Sequence, residues 1–571
     1  MKKIASLTYI VSALTLLSSL ATAYVHGAET HATSSVGTAF RTAAVSMPDS
    51  YSADAAQAIL ARGGNAVDAA ISATFVLAVT FPRAGNIGGG GFMMSYMDGE
   101  AAFLDFRERA PLSASRDMYL DNNGNVDSDA ATAGALSVGV PGTVRGMEMA
   151  HQRYGTLPWA ELLQPAIDLA EQGFTVHPGL AEVALERMNE VEGLANLADH
   201  FGDMKANSVF KQAELAATLT RIAADPEDFY QGKTAKYLLQ QMERSGGIIT
   251  QQDLDAYRAL WRAPLKSSWR EFTVLAAPPP SSGGFALIQL LTLRDLAQPY
   301  FDGLEHNSPQ YLHLLSEIEK RVFADRAKYL GDADYVDVPM GDLLAPAYLQ
   351  KRAKEINPSA ISPAATVRPG LEPTETTHFS ILDHAGNAVA ITYTLNWDFG
   401  SGLVVEGAGF LLNDEMDDFS AKPGVKNLYG VIGGSRNAIE PGKRMLSSMS
   451  PTILLKDAQP ALILGTPGGS TIFTSVFQTI LNIYDFNMSV DAAVNATRFH
   501  HQLPDALLIR HDQRAIPANT QTTLEAMGYT VEPNSWGNLG RVQAIEVDGK
   551  AVSTATDKRG WGDARVLPLT H

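Results

Sequence analysis

The chain has 571 residues, 45% hydrophobic and 19% charged, a composition that suits a globular protein of two to four average domains or one large layered core. A formal net charge of −18 argues against a nucleic-acid partner, whose phosphates would need a basic surface. Cysteine is absent from the sequence, which removes disulfides, thiolate metal sites and a thiol nucleophile together and leaves Ser, Thr or carboxylates for covalent chemistry.

Residues 1–23 read as a signal peptide, with Lys2-Lys3 as the basic start, residues 4–20 as the apolar run and Ala21-Thr22-Ala23 as the cleavage site; a second candidate cut follows Ala28. Ser and Thr interrupt the run and no stop-transfer flank follows. The expected address is export, periplasmic or secreted, with no membrane span in the mature protein. Residues 51–68 read as a helix broken at Gly63-Gly64 and restarted at Asn65, and residues 69–79 are apolar on nearly every side, as in a buried helix. The glycine run 85–91 lacks the Gly-Lys-Ser/Thr of a phosphate loop and is read as close backbone packing beneath a site.

A strand over 101–106 ends at Arg107-Glu108. An arginine there can grip a carboxylate at a pocket rim; a surface pair with Glu108 is the alternative. Residues 136–146 read as a strand and a turn, and 180–260 as amphipathic helices. Ser281 and Ser282 precede a helix over 285–296 and read as its N-cap. The long helix 309–330 carries His313 and Glu317 at a metal-like spacing, but without HExxH a solvated face is expected. Residues 358–375 read as an exposed loop open to cleavage.

Glu375-Thr376-Thr377 then opens a hairpin with strands over 379–382 and 388–395. Thr favours strands, so this is readable as an ordinary hairpin. The other reading is a cut before Thr376, which would give that residue an α-amine titrating at about 8, able to act as base toward its own hydroxyl; the segment alone favours the hairpin. A further strand is expected to end at Leu412. The acidic run Asn413-Asp414-Glu415-Met416-Asp417-Asp418-Phe419 is costly to bury unless a cation binds; calcium is a rival, though the spacing is not an EF-hand's. The glycine-rich loop 421–441, with Tyr429, reads as a lid. Strands over 452–455 and 461–464 follow. The second runs into Gly465-Thr466-Pro467-Gly468-Gly469-Ser470, a strand-to-helix turn whose amides can form an anion hole.

Thr376-Thr377-His378-Phe379-Ser380, Tyr393-Thr394-Leu395-Asn396, the acidic run through Ser420, Leu446-Ser447-Ser448-Met449-Ser450-Pro451 and Pro467-Gly468-Gly469-Ser470 together resemble the γ-glutamyltranspeptidase family. Upstream, the glycine run, Asp105-Phe106-Arg107-Glu108, Gly139-Val140-Pro141-Gly142 and Phe323-Ala324-Asp325-Arg326 extend the likeness. The resemblance implies an α+β fold, the four-layer αββα sandwich of Ntn-hydrolases. It also implies self-cleavage at Glu375–Thr376 into a helix-rich large subunit (24–375) and a strand-rich small subunit (376–571) that remain together as a heterodimer.

By the same resemblance Thr376 is the nucleophile, Thr394 orients it, and Gly468 and Gly469 form the oxyanion hole. Arg107, Ser447 and Ser448 hold the α-carboxylate of a γ-glutamyl group, and Asn396, Glu415 and Asp418 its α-ammonium. The donor is glutathione or another γ-glutamyl compound; the acceptor is water, an amino acid or a peptide. No cofactor and no metal are implied. Position 415 is Glu where some bacterial members have Gln, and Trp397-Asp398 departs from the commoner small or polar residues. A β-lactam (glutaryl or cephalosporin) acylase of the same fold and a non-catalytic exported binding protein are the rival readings.

Overall fold

Alternation along the strands sends successive side chains to opposite faces, and both faces of both sheets are apolar. The computed structural model describes residues 42–363, 375–422, 434–514, 516–535 and 537–569. The elements that build the site are, in chain order, β1 (Thr42–Met47), α1 (Ser50–Ala61), α2 (Ala66–Thr80), β2 (Gly90–Met97), β3 (Glu100–Asp105), β4 (Leu260–Arg262), β5 (Leu265–Trp269) and β6 (Phe272–Ala276). They continue with α3 (Gly283–Leu296), α4 (Pro309–Tyr329), β7 (Glu375–Leu382), β8 (Ala388–Asn396), β9 (Thr452–Lys456), β10 (Gln459–Gly465), α5 (Ile472–Tyr484), β11 (Gln543–Asp548), β12 (Ala551–Thr556) and β13 (Asp563–Pro568). One sheet has the order β13-β1-β7-β8-β2-β3-β4 and the other β12-β11-β10-β9-β6-β5.

Three apolar seams separate four layers. Phe379, Ile381, Val389 and Ile391 of the first sheet pack with Val67, Ile71 and Phe75 of α2. The opposite face, with Leu382, Ala388 and Ala390, meets Leu275, Ile453, Ile463 and Ile545 of the second sheet. The outer face of that sheet, through Val274, Leu454 and Leu462, joins Leu287 of α3, Ile318 of α4 and Phe477 of α5. This is the αββα sandwich. Strands β1–β6 precede Thr376 and β8–β13 follow it, so each sheet pairs strands from the two sides of that residue.

α2 starts where the sequence places the restart: Asn65 and Asp68 form a capping box, and all 15 helical residues are buried. The glycine run is close packing, since a Cβ at Gly89 would overlap the Thr394 carbonyl oxygen and one at Gly91 the Thr392 carbonyl oxygen. Gly89→Ala should therefore cost about 1–3 kcal/mol or more in overpacking. Thermal unfolding is expected to show a lower Tm for this variant, with the loss passed to Thr394 behind it.

Three expectations fail. Residues 136–146 are not a strand: they hold a short 3-10 turn (Ala135–Ser137) and one bridge, Arg109 to Val140. The run ending at Leu412 is a loop with a single internal bridge, Val404 to Leu411, because Gly400, Gly402, Gly407 and Gly409 take left-handed φ and break the extended path. α4 has no solvated face. Residues 311–327 are all buried, and its charges are paired: Glu317 within the helix with Lys320 at 2.7 Å and Arg321 at 2.8 Å, and Asp325 with Arg352 of a later helix at 2.7 Å. His313 lies between Tyr529 Oη (2.8 Å) and the Asn357 carbonyl (2.9 Å).

Candidate active site

Thr376 lies at the buried start of β7, opposite an irregularity in β8. Pairing passes from Thr377–Tyr393 to Glu375–Asn396, so β8 spends one extra residue there and Thr394 and Leu395 together face Thr376. Thr394 stabilises the bulge, its Oγ1 accepting the Asn396 N–H at 2.7 Å. Asn396 takes φ 79°, a left-handed conformation sparse for non-glycine residues. Its side-chain Nδ2 donates to the Asp414 carbonyl at 3.0 Å.

Arg107, Thr376, Thr394, Asn396, Glu415, Asp418, Ser447, Ser448 and Gly469 line one narrow cavity. Gly468 does not line it but immediately precedes Gly469; the two take φ 127° and 52°, both in the region that favours glycine. The turn they make enters α5, and the Thr471 N–H closes it on the Gly468 carbonyl at 2.9 Å. Backbone amides at such a turn, backed by a helix N-terminus, can hold a developing oxyanion. Glu375 is the first residue of β7; Tyr429 and residues 1–23 lie outside the described residues.

Arg107 is fully buried, which rules out a surface pair with Glu108. Its guanidinium bridges Glu415 Oε1 and Asp418 Oδ2, and Glu108 lies 3.6 Å away, itself buried. The backbone is pinned as well: Arg107 N–H donates to Asp105 Oδ1 at 3.0 Å, and Tyr257 Oη donates to the Arg107 carbonyl at 2.9 Å. Carboxylates outnumber cations, for Glu108, Asp414, Glu415, Asp417 and Asp418 are all buried here. Burial pushes the Asp414 carboxyl up to about 7 against the pull of Arg187, and holds Glu415 well above the usual range despite Arg107. Asp418 is also raised by burial, with Arg107 opposing. Glu415 Oε2 and Asp418 Oδ1 find no hydrogen-bond donor among the described residues. Buried carboxyls without donors must either hold a proton, as the raised groups here do, or be answered by a cation.

Burial pushes Glu108 up to about 8 from an ordinary 4.5, Arg107 opposing. The folded chain therefore holds a proton that the unfolded chain has released, and this group's contribution to stability falls as pH rises through that window. Glu108→Gln keeps the shape without the titration. Its Tm should decline less than that of the parent between about pH 6 and about pH 9, a difference on the order of 1–3 °C.

Several residues shape the site in ways the sequence does not disclose. Asn413 is a hub: its Nδ2 donates to the Gly88 and Gly139 carbonyls at 2.8 Å each, and its Oδ1 accepts the Gly139 and Glu415 amides at 2.8 and 3.0 Å. Ser282 precedes α3 but makes no side-chain cap; its Oγ instead donates to the Ser447 carbonyl at 2.7 Å and accepts from Arg326 Nε at 2.8 Å. His378, two residues after Thr376, is held near about 3 by burial and is neutral, between Thr392 Oγ1 (2.8 Å) and Ser380 Oγ (3.1 Å). Trp397 and Asp398 do not line the cavity. Asp398 pairs bidentately with Arg83 at 2.6 and 2.8 Å, and the Trp397 N–H donates to Asp414 Oδ1 at 2.9 Å, so the pair braces the end of β8.

The sequence model of the γ-glutamyltranspeptidase family matches residues 52–567. The glutathione hydrolase proenzyme of Pseudomonas aeruginosa is 56% identical over 526 residues, 92% of this chain and 94% of its own length. That of Escherichia coli is 43% identical over 521 residues, 88% of each. Among solved structures, the cephalosporin acylase from Bacillus halodurans matches 92% of this chain and 95% of its own at a TM-score of 0.80 and 27% identity. A γ-glutamyltranspeptidase from Pseudomonas nitroreducens complexed with L-DON matches 56% of this chain and 96% of its own, at a TM-score of 0.56 and 52% identity. The four-layer sandwich is thus the Ntn-hydrolase fold, and the chain belongs to the γ-glutamyltranspeptidase family.

Proposed function

We propose that this chain is an exported enzyme that cuts itself at Glu375–Thr376 and then transfers γ-glutamyl groups, from glutathione or related donors, to water or to amino acids and peptides. One observation carries the reading: Thr376 shares its cavity with a buried arginine and with two buried carboxyl groups that a cation would answer. A donor's α-carboxylate has the charge that Arg107 attracts, and its α-ammonium the charge that Glu415 and Asp418 attract. Such a ligand would part the internal ion pairs and re-form them with itself, carboxylate to Arg107, Ser447 and Ser448, ammonium to Asn396, Glu415 and Asp418. A glutaryl group lacks the ammonium and would leave those carboxylates unanswered, which disfavours the acylase reading.

In the first reaction Thr376 Oγ attacks the Glu375 carbonyl carbon, the peptide C–N bond breaks as the nitrogen takes a proton, and the resulting ester is hydrolysed by water. The freed α-amine then serves as base toward Oγ. In the second reaction Oγ attacks the γ-carbonyl of the donor, the Gly468 and Gly469 amides hold the oxyanion, and the donor's amine leaves with a proton from the α-amine. Water or an acceptor amine releases the γ-glutamyl group. With its pKa lowered to about 3 by burial, His378 is too weak a base to compete.

The strand order supports a heterodimer that outlives the cut, because hydrogen-bonded neighbours in both sheets come from opposite sides of residue 376. Relatives at 56% and 43% identity are named proenzymes. Export rests on residues 1–23; among the described residues no helix is long and apolar enough to cross a membrane. Purified protein given matched γ-glutamyl and glutaryl anilides should release the amine from the first far faster, and a dipeptide should accelerate that release. Preference for the glutaryl compound would make it an acylase instead.

A further inference from the structure

Arg326 is buried on α4, outside the set of residues assigned above. Its Nε donates to Ser282 Oγ at 2.8 Å. Ser282 passes the connection on twice, from Oγ at 2.7 Å and from its amide at 2.6 Å, both to the Ser447 carbonyl. The Ser447 amide returns a bond to the Pro280 carbonyl at 2.9 Å, and Ser281 Oγ donates to the Met449 carbonyl at 2.6 Å. A Cβ at Gly283 would overlap Ser450 Oγ and the Ser448 carbonyl. The turn entering α3 therefore grips residues 447–450 without slack, and Arg326 grips the turn. Arg326 also stands within electrostatic reach of Asp418, each favouring the other's charged form.

We propose that Arg326 is a positioning residue of the γ-glutamyl pocket: through Ser282 it fixes the backbone of Ser447 and Ser448, and it gives Asp418 a counter-charge that stays when a donor's carboxylate engages Arg107. The proposal rests on the γ-glutamyl reading above. Asp418 is surrounded by Glu108, Asp414, Glu415 and Asp417 as well as by the two arginines. Once Arg107 is shared with a substrate carboxylate, burial would drive Asp418 toward its neutral form, which binds an ammonium more weakly. Burial lowers Arg326 to about 9, Asp418 opposing, so it keeps its charge at neutral pH.

The test uses the self-cleaved enzyme and its Arg326→Met, Arg326→Lys and Ser282→Ala variants, with kcat and KM for a γ-glutamyl anilide measured across pH. Arg326→Met should raise donor KM by about 10–100-fold with kcat changed less than about threefold, and should move the acid limb of kcat/KM to higher pH. Arg326→Lys keeps a charge but not the planar fork, so the limb should return toward its parent position while KM stays elevated. Ser282→Ala should raise KM and leave the limb in place. Parent-like KM in Arg326→Lys and Ser282→Ala would overturn the proposal even where Arg326→Met fails to fold; so would an unmoved limb in a folded Arg326→Met enzyme. Failure of the parent enzyme to turn over the anilide would overturn the γ-glutamyl reading itself, whereas a working parent with indifferent variants would remove Arg326 alone.

Discussion

Thr376→Ala is expected to yield a single uncut chain without γ-glutamyl-transfer activity. The substitution removes Oγ, which is both the attacking atom in self-cleavage and the carrier of the acyl group. Loss of a nucleophile in a concerted site costs at least about 10⁴-fold in rate. The fold should survive, because the residue sits at the first turn of pairing in β7 and Ala in place of Thr in a strand costs on the order of 1 kcal/mol. His378, its basicity lowered by burial and both ring nitrogens engaged by Thr392 and Ser380, supplies no substitute chemistry. Thr376→Ser keeps an oxygen and should still cut, more slowly. Gel electrophoresis after refolding reads the outcome, and a cut Thr376→Ala chain would sink the self-cleavage mechanism.

Arg107→Ala should raise donor KM by about 10²–10³-fold, since removing one partner of a buried, charge-assisted bridge costs about 2–5 kcal/mol. The arginine serves two masters. It is the cation for a donor's carboxylate, and it is the counter-charge of Glu415, Asp418 and Glu108. Without it those carboxyls climb further and take up protons, so the ammonium side of the pocket weakens along with the carboxylate side. Arg107→Lys retains one charge but not the fork that reaches Glu415 and Asp418 together, and should fall between the two. Steady-state kinetics decide; an unchanged donor KM would take Arg107 out of the pocket.

What could be read from the sequence was what local pattern encodes. The buried α2 follows from its unbroken apolar run and its Asn65 cap, and the β7–β8 hairpin from alternation around a turn at residues 383–387. The glycine run 88–91 was legible as close approach because no phosphate-loop chemistry accompanied it. What could not be read depends on partners far along the chain. α4 looks amphipathic, yet Glu317 is answered by the Ser362 amide at 3.0 Å and Asp325 by Arg352, so its charged side is buried too. Hydrophobic spacing suggested a strand before Leu412, but the positive φ values of four glycines decided otherwise. Nine site residues drawn from scattered motifs line one cavity, while the pairing of Arg107 with Glu415 and Asp418 belongs to the folded chain alone. Ser282 was misjudged as a cap because its true partner, Ser447, lies 165 positions away.

Self-cleavage at one bond is the claim on which nucleophile, base and subunit structure all depend. Intact mass with N-terminal sequencing of the purified protein tests it most directly. Two chains are expected, held together under native conditions, the smaller one beginning Thr-Thr-His-Phe-Ser. A single chain that nevertheless turns over a γ-glutamyl donor, or a smaller chain that begins at any residue other than Thr376, would contradict it.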